Sequence, residues 1–217
     1  MAKAGLLFVG TDDGLVLFSD PGATGRWLRV GQELRGEMVT AVWPQFDDPQ
    51  TVLAGGAGGL WRSGDGGASW TTISAEPIRR FEGEKGTPQI IDALTDAGWQ
   101  RSTDGGATWQ PSTHSTNTRL DEMHQITLAG QKPVALRIDT ATITRSDDAG
   151  ATWQATTSDQ PWSGVITVIV AARYHIDVAF AGSTTGQLGI SSDRGRSWQI
   201  VKHNLPPIRA IAATRLV

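Results

Sequence analysis

The chain of 217 residues has no cysteine. Disulfides therefore cannot hold its fold, and thiolate metal sites and thiol catalysis are excluded. Basic runs are also missing. Nothing longer than Arg79-Arg80 occurs, and 19 Lys+Arg against 22 Asp+Glu leave a net charge of −3. The field that would gather polyphosphate is absent, so nucleic acid is not an expected partner. No apolar stretch approaches the roughly 20 residues that a membrane helix requires. The short run Leu6 to Val9 is broken by Gly10 and Asp12-Asp13, too brief for the core of a signal peptide, and reads as a strand. The expectation is a soluble, cytoplasmic chain with no membrane partner. Histidines 114, 124, 175 and 203 lack the close spacing that places two ligands on one element, which predicts no metal site. The glycine stretch 55–59 lacks the Lys-Ser/Thr ending of a phosphate loop, and no cofactor is expected.

What the chain does have is glycine, 26 residues, and tryptophan, nine residues, and their placement is periodic. Four segments share the pattern Ser-x-Asp-x-Gly-x-[Ser/Thr]-Trp: Ser63 to Trp70, Ser102 to Trp109, Ser146 to Trp153 and Ser191 to Trp198. A fifth, altered copy runs from Ser19 to Trp27. The tryptophans at 27, 70, 109, 153 and 198 divide the chain into five units of similar length, the signature of a repeat architecture.

The pattern has a physical reading. Aspartate in a tight turn accepts hydrogen bonds from N–H groups ahead of it, and the glycine that follows supplies a left-handed backbone. Tryptophan then opens the next strand, where its ring covers a neighbouring unit and its N–H is expected to find a partner at the edge. Asp65, Asp104, Asp148 and Asp193, with Trp70, Trp109, Trp153 and Trp198, are read as structural clasps. Around each turn lie short β-type runs. In the second unit these are Val39 to Pro44, Thr51 to Gly55, Gly59 to Ser63 and Trp70 to Ile73. In the fifth they are Val165 to Ala172, Asp177 to Ala181, Gln187 to Ser191 and Trp198 to Val201. The segment Arg119 to Leu128 has room for a helical turn.

These segments resemble the Asp-box, or BNR, repeat of sialidases, xyloglucanases, sortilin-type receptors and photosystem assembly factors, and the resemblance spans essentially the whole chain. It implies that each box is the turn between the third and fourth strands of a propeller blade. The fold class expected is all-β: one domain, a five-bladed β-propeller of four-stranded antiparallel blades. Leu6 to Val9 aligns as a second strand, so the first blade lacks an inner strand, and Ile208 to Val217 is left to complete it. Joining the two ends in one sheet removes exposed edges. The expected blades are 6–32 with 208–217, 38–75, 77–114, 122–158 and 164–203. An incomplete ring that assembles into a larger one is the alternative.

The enzymes of this family are glycosidases, but the features that the sialidases carry are missing. The only tyrosine is Tyr174 and no Arg-Ile-Pro occurs. The acidic pairs Asp12-Asp13, Asp47-Asp48 and Asp121-Glu122 read as solvated turns. The expectation is therefore a non-catalytic, monomeric binding or assembly module recognising a protein or an anionic or carbohydrate ligand, with a glycoside hydrolase as the alternative. Recognition would fall on the face opposite the boxes. There the second positions of the inner strands are Thr40, Arg79, His124, Ile166 and Arg209, whose cations suit carboxylate or phosphate, unless Arg79 and Arg209 pair with acids such as Glu37, Asp121 or Glu122. Arg35, Arg119, Glu33 and His203 share that rim. Trp162, in a proline-containing loop, is positioned either to stack on a ligand or to pack on a blade.

Overall fold

The computed structural model describes residues 5–22, 24–83, 86–113, 125–130 and 132–215. Among these residues every regular element is a strand. The first sheet contains β1 (Gly5–Thr11), β2 (Gly14–Asp20) and β3 (Leu28–Glu33). The second is β4 (Val39–Pro44), β5 (Val52–Gly56), β6 (Gly59–Ser63) and β7 (Thr71–Ser74). Next come β8 (Ile78–Glu82), β9 (Ile91–Thr95), β10 (Gly98–Ser102) and β11 (Gln110–Pro111). The fourth sheet is β12 (Gln125–Leu128), β13 (Val134–Asp139), β14 (Thr142–Ser146) and β15 (Gln154–Ala155). The remainder are β16 (Thr157–Ser158), β17 (Ile166–Ala171), β18 (Ala179–Ser183), β19 (Leu188–Ser191), β20 (Ser197–Lys202) and β21 (Ile208–Arg215).

Strand order is β21-β1-β2-β3 in the first sheet and sequential in the second, third and fourth. The protein is thus all-β and propeller-like, with the last strand completing the first sheet. The fifth sheet departs from the expected four strands: its order is β16-β20-β19-β18-β17, with β16 parallel to β20. The segment expected to hold a helical turn contains β12 at 125–128, and the rest of it lies outside the described residues.

Two compact units are distinguished, Met1–Asn117 with Ala212–Val217, and Thr118–Ile211. In the first, Phe8, Leu15 and Leu17 pack with Val39, Val52, Ala54 and Trp61 of the second sheet. The other side of that sheet offers Ala41, Trp43, Leu53 and Leu60 to Ile78, Ile91 and Ala93 of the third. Strands covered on both faces read as continuous apolar runs, which is why β5 is buried at every position. In the second unit one cluster unites Leu128, Val134, Leu136 and Ile143 with Ile166, Ile169, Ala179, Ala181 and Trp198. Each fully buried Leu, Ile or Phe contributes about 1.5–3 kcal/mol.

Glycine sets how closely the sheets approach. A Cβ at Gly55 would lie 2.6 Å from Ile78, and one at Gly182 would lie 2.5 Å from Ile208. The inner strands share a second device. Pairing skips one residue between Val39 and Ala41, between Ile78 and Arg80, and between Ile166 and Val168, a β-bulge that re-aims the skipped side chain. The skipped residues are Thr40, Arg79 and Thr167. This corrects the sequence alignment by one position: Thr167, not Ile166, corresponds to Thr40 and Arg79. Ile166 is 1% exposed, as buried as its true equivalents Val39 and Ile78, while Val165 faces solvent at 47%.

Candidate functional site

The four boxes share one geometry. In the first of them the Ser63 hydroxyl donates to Asp65 Oδ1 at 2.8 Å and accepts from the Gly67 N–H at 2.8 Å. The Ser69 N–H donates to Asp65 Oδ1 at 2.8 Å, and the Ser69 hydroxyl to Oδ2 at 2.6 Å. Asp104, Asp148 and Asp193 receive the same pair of bonds from Thr108, Thr152 and Ser197. Both carboxylate oxygens are therefore occupied, which favours the ionised form. Hydrogen bonds from the Ser69 or Thr hydroxyl, from the same residue's amide and from the box serine lower Asp65, Asp104 and Asp148 to about 2. At Asp193 burial pushes the carboxyl up, but the bonds from Ser197, Ser191 and Arg196 prevail and leave it lowered. The altered copy works in the same way from a shifted position: Asp20 accepts from the Thr24 and Gly25 amides at 3.0 and 2.7 Å.

Two residues per box, not one, take the left-handed backbone: Gly66 and Gly67, Gly105 and Gly106, Ala149 and Gly150, Arg194 and Gly195. The second glycine has a further duty, because its missing side chain seats the preceding sheet. A Cβ at Gly67 would lie 2.9 Å from Leu17, one at Gly106 2.6 Å from Leu53, and one at Gly195 2.4 Å from Leu136. Cross-sheet bonds reinforce this seat, with Arg62 Nε donating to Gly105 O at 3.2 Å and Arg145 Nε to Arg194 O at 3.0 Å.

The box tryptophans do not find partners at the edge as the sequence suggested. The N–H groups of Trp70, Trp109 and Trp153 donate back into their own turns, to the carbonyls of Gly67, Gly106 and Gly150, at 3.0–3.1 Å. Trp198 is turned into the core instead and its N–H has no partner among the described residues. The boxes are thus clasps whose acids are fully engaged. Asp13 and Asp48 are engaged likewise: Asp13 accepts from the Gly36 N–H at 2.9 Å, and Asp48 from the Gln50 N–H and the Thr51 hydroxyl at 3.1 and 2.7 Å. Asp121 and Glu122 lie outside the described residues.

On the opposite ends of the strands, in the first unit, the β1–β2 turn and the β3–β4 loop lock together. The Gly14 N–H donates to Glu37 O at 2.7 Å and the Glu37 N–H to Leu34 O at 3.1 Å. Gly14 tolerates no side chain, since a Cβ would lie 2.4 Å from Glu33 O. Leu34 is held at φ 51°, a conformation that costs a non-glycine residue about 1–2 kcal/mol. This loop presents Arg35 and Met38 to solvent, Met38 being 41% exposed. Arg35 makes no hydrogen bond or ion pair among the described residues.

The remaining candidates are distributed as follows. The Thr40 hydroxyl donates to Ile78 O at 3.3 Å, and Thr167 at the matching bulge donates to Ile208 O at 2.6 Å. Arg79, at the third bulge, instead reaches solvent and pairs with Asp96 at 2.7 Å, the two side chains 64% and 58% exposed. Its partner is not Glu37. Arg209 lies half-buried in the second unit, and His203 is exposed there. His124 and Arg119 lie outside the described residues. Trp162 packs edge-on against Trp198, ring centroids 6.3 Å apart, and fills the space above Gly189, where a Cβ would lie 2.5 Å from it. The ring is thereby committed to the fifth sheet. No single motif marks Met38 or Asp96, which the sequence reading passed over. Only their place in strand-connecting loops beside Arg35 and Arg79 pointed to them.

Sheet after sheet closed by an aspartate-stapled turn defines an all-β blade-repeat protein. Residues 100–111 match the family model described as BNR/Asp-box repeat. No curated protein matches it. Among solved structures, it is similar to YCF48 bound to D1 peptide, at 16% identity over 89% of this chain and 76% of that one, TM-score 0.45. It is also similar to the GH74 xyloglucanase from Xanthomonas campestris, at 19% identity, 90% and 36% coverage and TM-score 0.34. An ancestral GH74 enzyme gives 16% identity, 90% and 22% coverage and TM-score 0.35. The chain spans 36% and 22% of the lengths of these two GH74 proteins.

Proposed function

We propose that the chain is a non-catalytic binding or assembly module that recognises a protein partner through the loops at the ends of the strands away from the Asp boxes. The observation that carries this reading is the pinned and strained β3–β4 loop, which holds Arg35 and Met38 out to solvent. A cation without a partner beside an exposed, adaptable thioether is a contact surface in search of a complement. Backbone strain at Leu34 is stored where the loop must keep one shape. Arg79 with Asp96 adds a polar pair of the kind found at an interface rim.

Glycoside hydrolysis needs one carboxyl able to donate a proton and a second placed about 5–9.5 Å away. The box aspartates are poor acids for that task, being held ionised with both oxygens bonded. Partner capture from extracts of the native cell, followed by reconstitution of the binary complex, tests the reading. Arg35→Glu with Met38→Ala should abolish the reconstituted complex and shift Tm by less than about 1 °C, as expected of exposed positions. Turnover of fluorogenic glycosides, or an undiminished complex, would overturn it.

A further inference from the structure

The outer edges of the five sheets are unequal. In the fifth sheet the edge strand β20 is covered by an extended segment of the chain itself. The Thr157 N–H donates to Arg196 O at 3.1 Å and the Asp159 N–H to Trp198 O at 3.0 Å. The Asp159 carboxylate then accepts the Ile200 N–H at 2.9 Å. Trp162 and Gln187 complete the attachment, Gln187 bonding Ser163 N and Pro161 O at 2.6 and 3.2 Å. Elsewhere the edges are blunted in ways that discourage pairing. β11 and β15 are two residues long, β11 ends in Pro111, and the exposed residues of β7 are Thr71 and Thr72.

β3 differs from all of these. It is six residues long and terminal in its sheet, and it exposes Leu28 at 44% and Val30 at 60%. Its register is that of β20. Arg29 lies two residues after Trp27 as Ile200 lies two after Trp198, Arg29 pairs with Phe18 as Ile200 pairs with Gly189, and each strand then skips one residue, Val30 or Val201. Arg29 therefore occupies the position of Ile200, whose amide is capped by Asp159 in the fifth sheet. Arg26 and Arg29 are exposed and form no ion pair among the described residues. The nearest box acid, Asp20, already accepts from Thr24 and Gly25.

We infer that the β3 edge is a β-augmentation site for an extended acidic segment of a partner protein, added as β16 is added to β20. Main-chain pairing would supply affinity, with side chains on one face of the incoming strand meeting Leu28 and those on the other meeting Arg29, and Arg26 adding charge at the start of the edge. A second copy of this chain is a poor occupant, because self-pairing sets cationic edges against each other. The site is separate from the Arg35 and Met38 loop, and its test does not depend on that reading.

A fluorescein-labelled octapeptide alternating valine with aspartate serves as the probe, with a valine–lysine octapeptide as its counterpart. Fluorescence polarisation should show the acidic peptide binding at least about tenfold more tightly than the basic one, the order of discrimination that paired charges give. Hydrogen exchange at amides 26–30 should slow when it binds. Arg26→Glu with Arg29→Glu should reverse the preference while the circular dichroism melt stays in place. Three results would overturn the inference: no preference between the peptides, protection that falls outside β3, or association of the protein with itself that the double substitution abolishes.

Discussion

At the scale of single residues, the box aspartate does most of its work as an anion. Its two oxygens take an amide and a hydroxyl from the residue four places on, and a second hydroxyl from the box serine, so that the carboxyls of Asp65, Asp104 and Asp148 sit near 2 instead of the usual 3.8. A folded-state value below the unfolded one means that the unfolded chain binds more protons between the two. Stability from these groups is then fully present above about pH 4 and is lost as pH falls toward about 2. Thermal melts across that window should show Tm falling steeply, and Asp65→Asn should flatten the fall because one titrating clasp is gone. An equally steep fall in the variant would mean that these carboxylates do not carry the acid sensitivity. The clasp also accounts for two strained positions. Ala149 and Arg194 stand where other boxes have glycine, at φ 59° and 65°, and the staple keeps them there.

At the scale of elements, the legible and the illegible divide by range. The box turns, the strands around them and the edge-completing role of Ile208 to Val217 could be read from the sequence, because turn chemistry and alternation act over a few residues. The shifted copy at Ser19 to Trp27 was legible for the same reason, its Asp20 still facing Thr24. The bulge was not: Val165 and Ile166 suit an apolar strand equally, and only contact with the neighbouring strands decides that Ile166 is buried. Nor was β16, since Thr157 and Ser158 carry no strand signal and pair with residues about forty positions away. For the same reason Trp162 could not be assigned in advance between ligand and blade. Its packing predicts that Trp162→Ala costs about 2–4 kcal/mol, by analogy with large-to-small changes at well-packed sites, and frees β16 from β20. Urea unfolding with exchange at residues 157–159 checks this, and a cost below about 0.5 kcal/mol would return Trp162 to the surface as a ligand candidate.

At the scale of the whole molecule, the sheet order β21-β1-β2-β3 makes the first sheet depend on the last strand. Ile208, Ala210, Ile211 and Ala213 of β21 are buried, Ile208 completely, so the strand contributes core as well as hydrogen bonds. Without it β1, an interior strand with Leu7, Phe8 and Val9 at 0–1% exposure, would become an edge. Two costs then add: apolar surface returns to water, and a long hydrophobic edge is opened to aggregation. Removing residues 208–217 should lower Tm by more than about 10 °C, given that each kcal/mol is worth about 2–4 °C in a domain of this size. A synthetic peptide of residues 207–217, added in trans, should restore much of the loss, as a ligand that binds only the folded state does. A truncated chain that melts with the full one would show that β1 does not need β21, and the completion of the first sheet by the last strand would then have no energetic role.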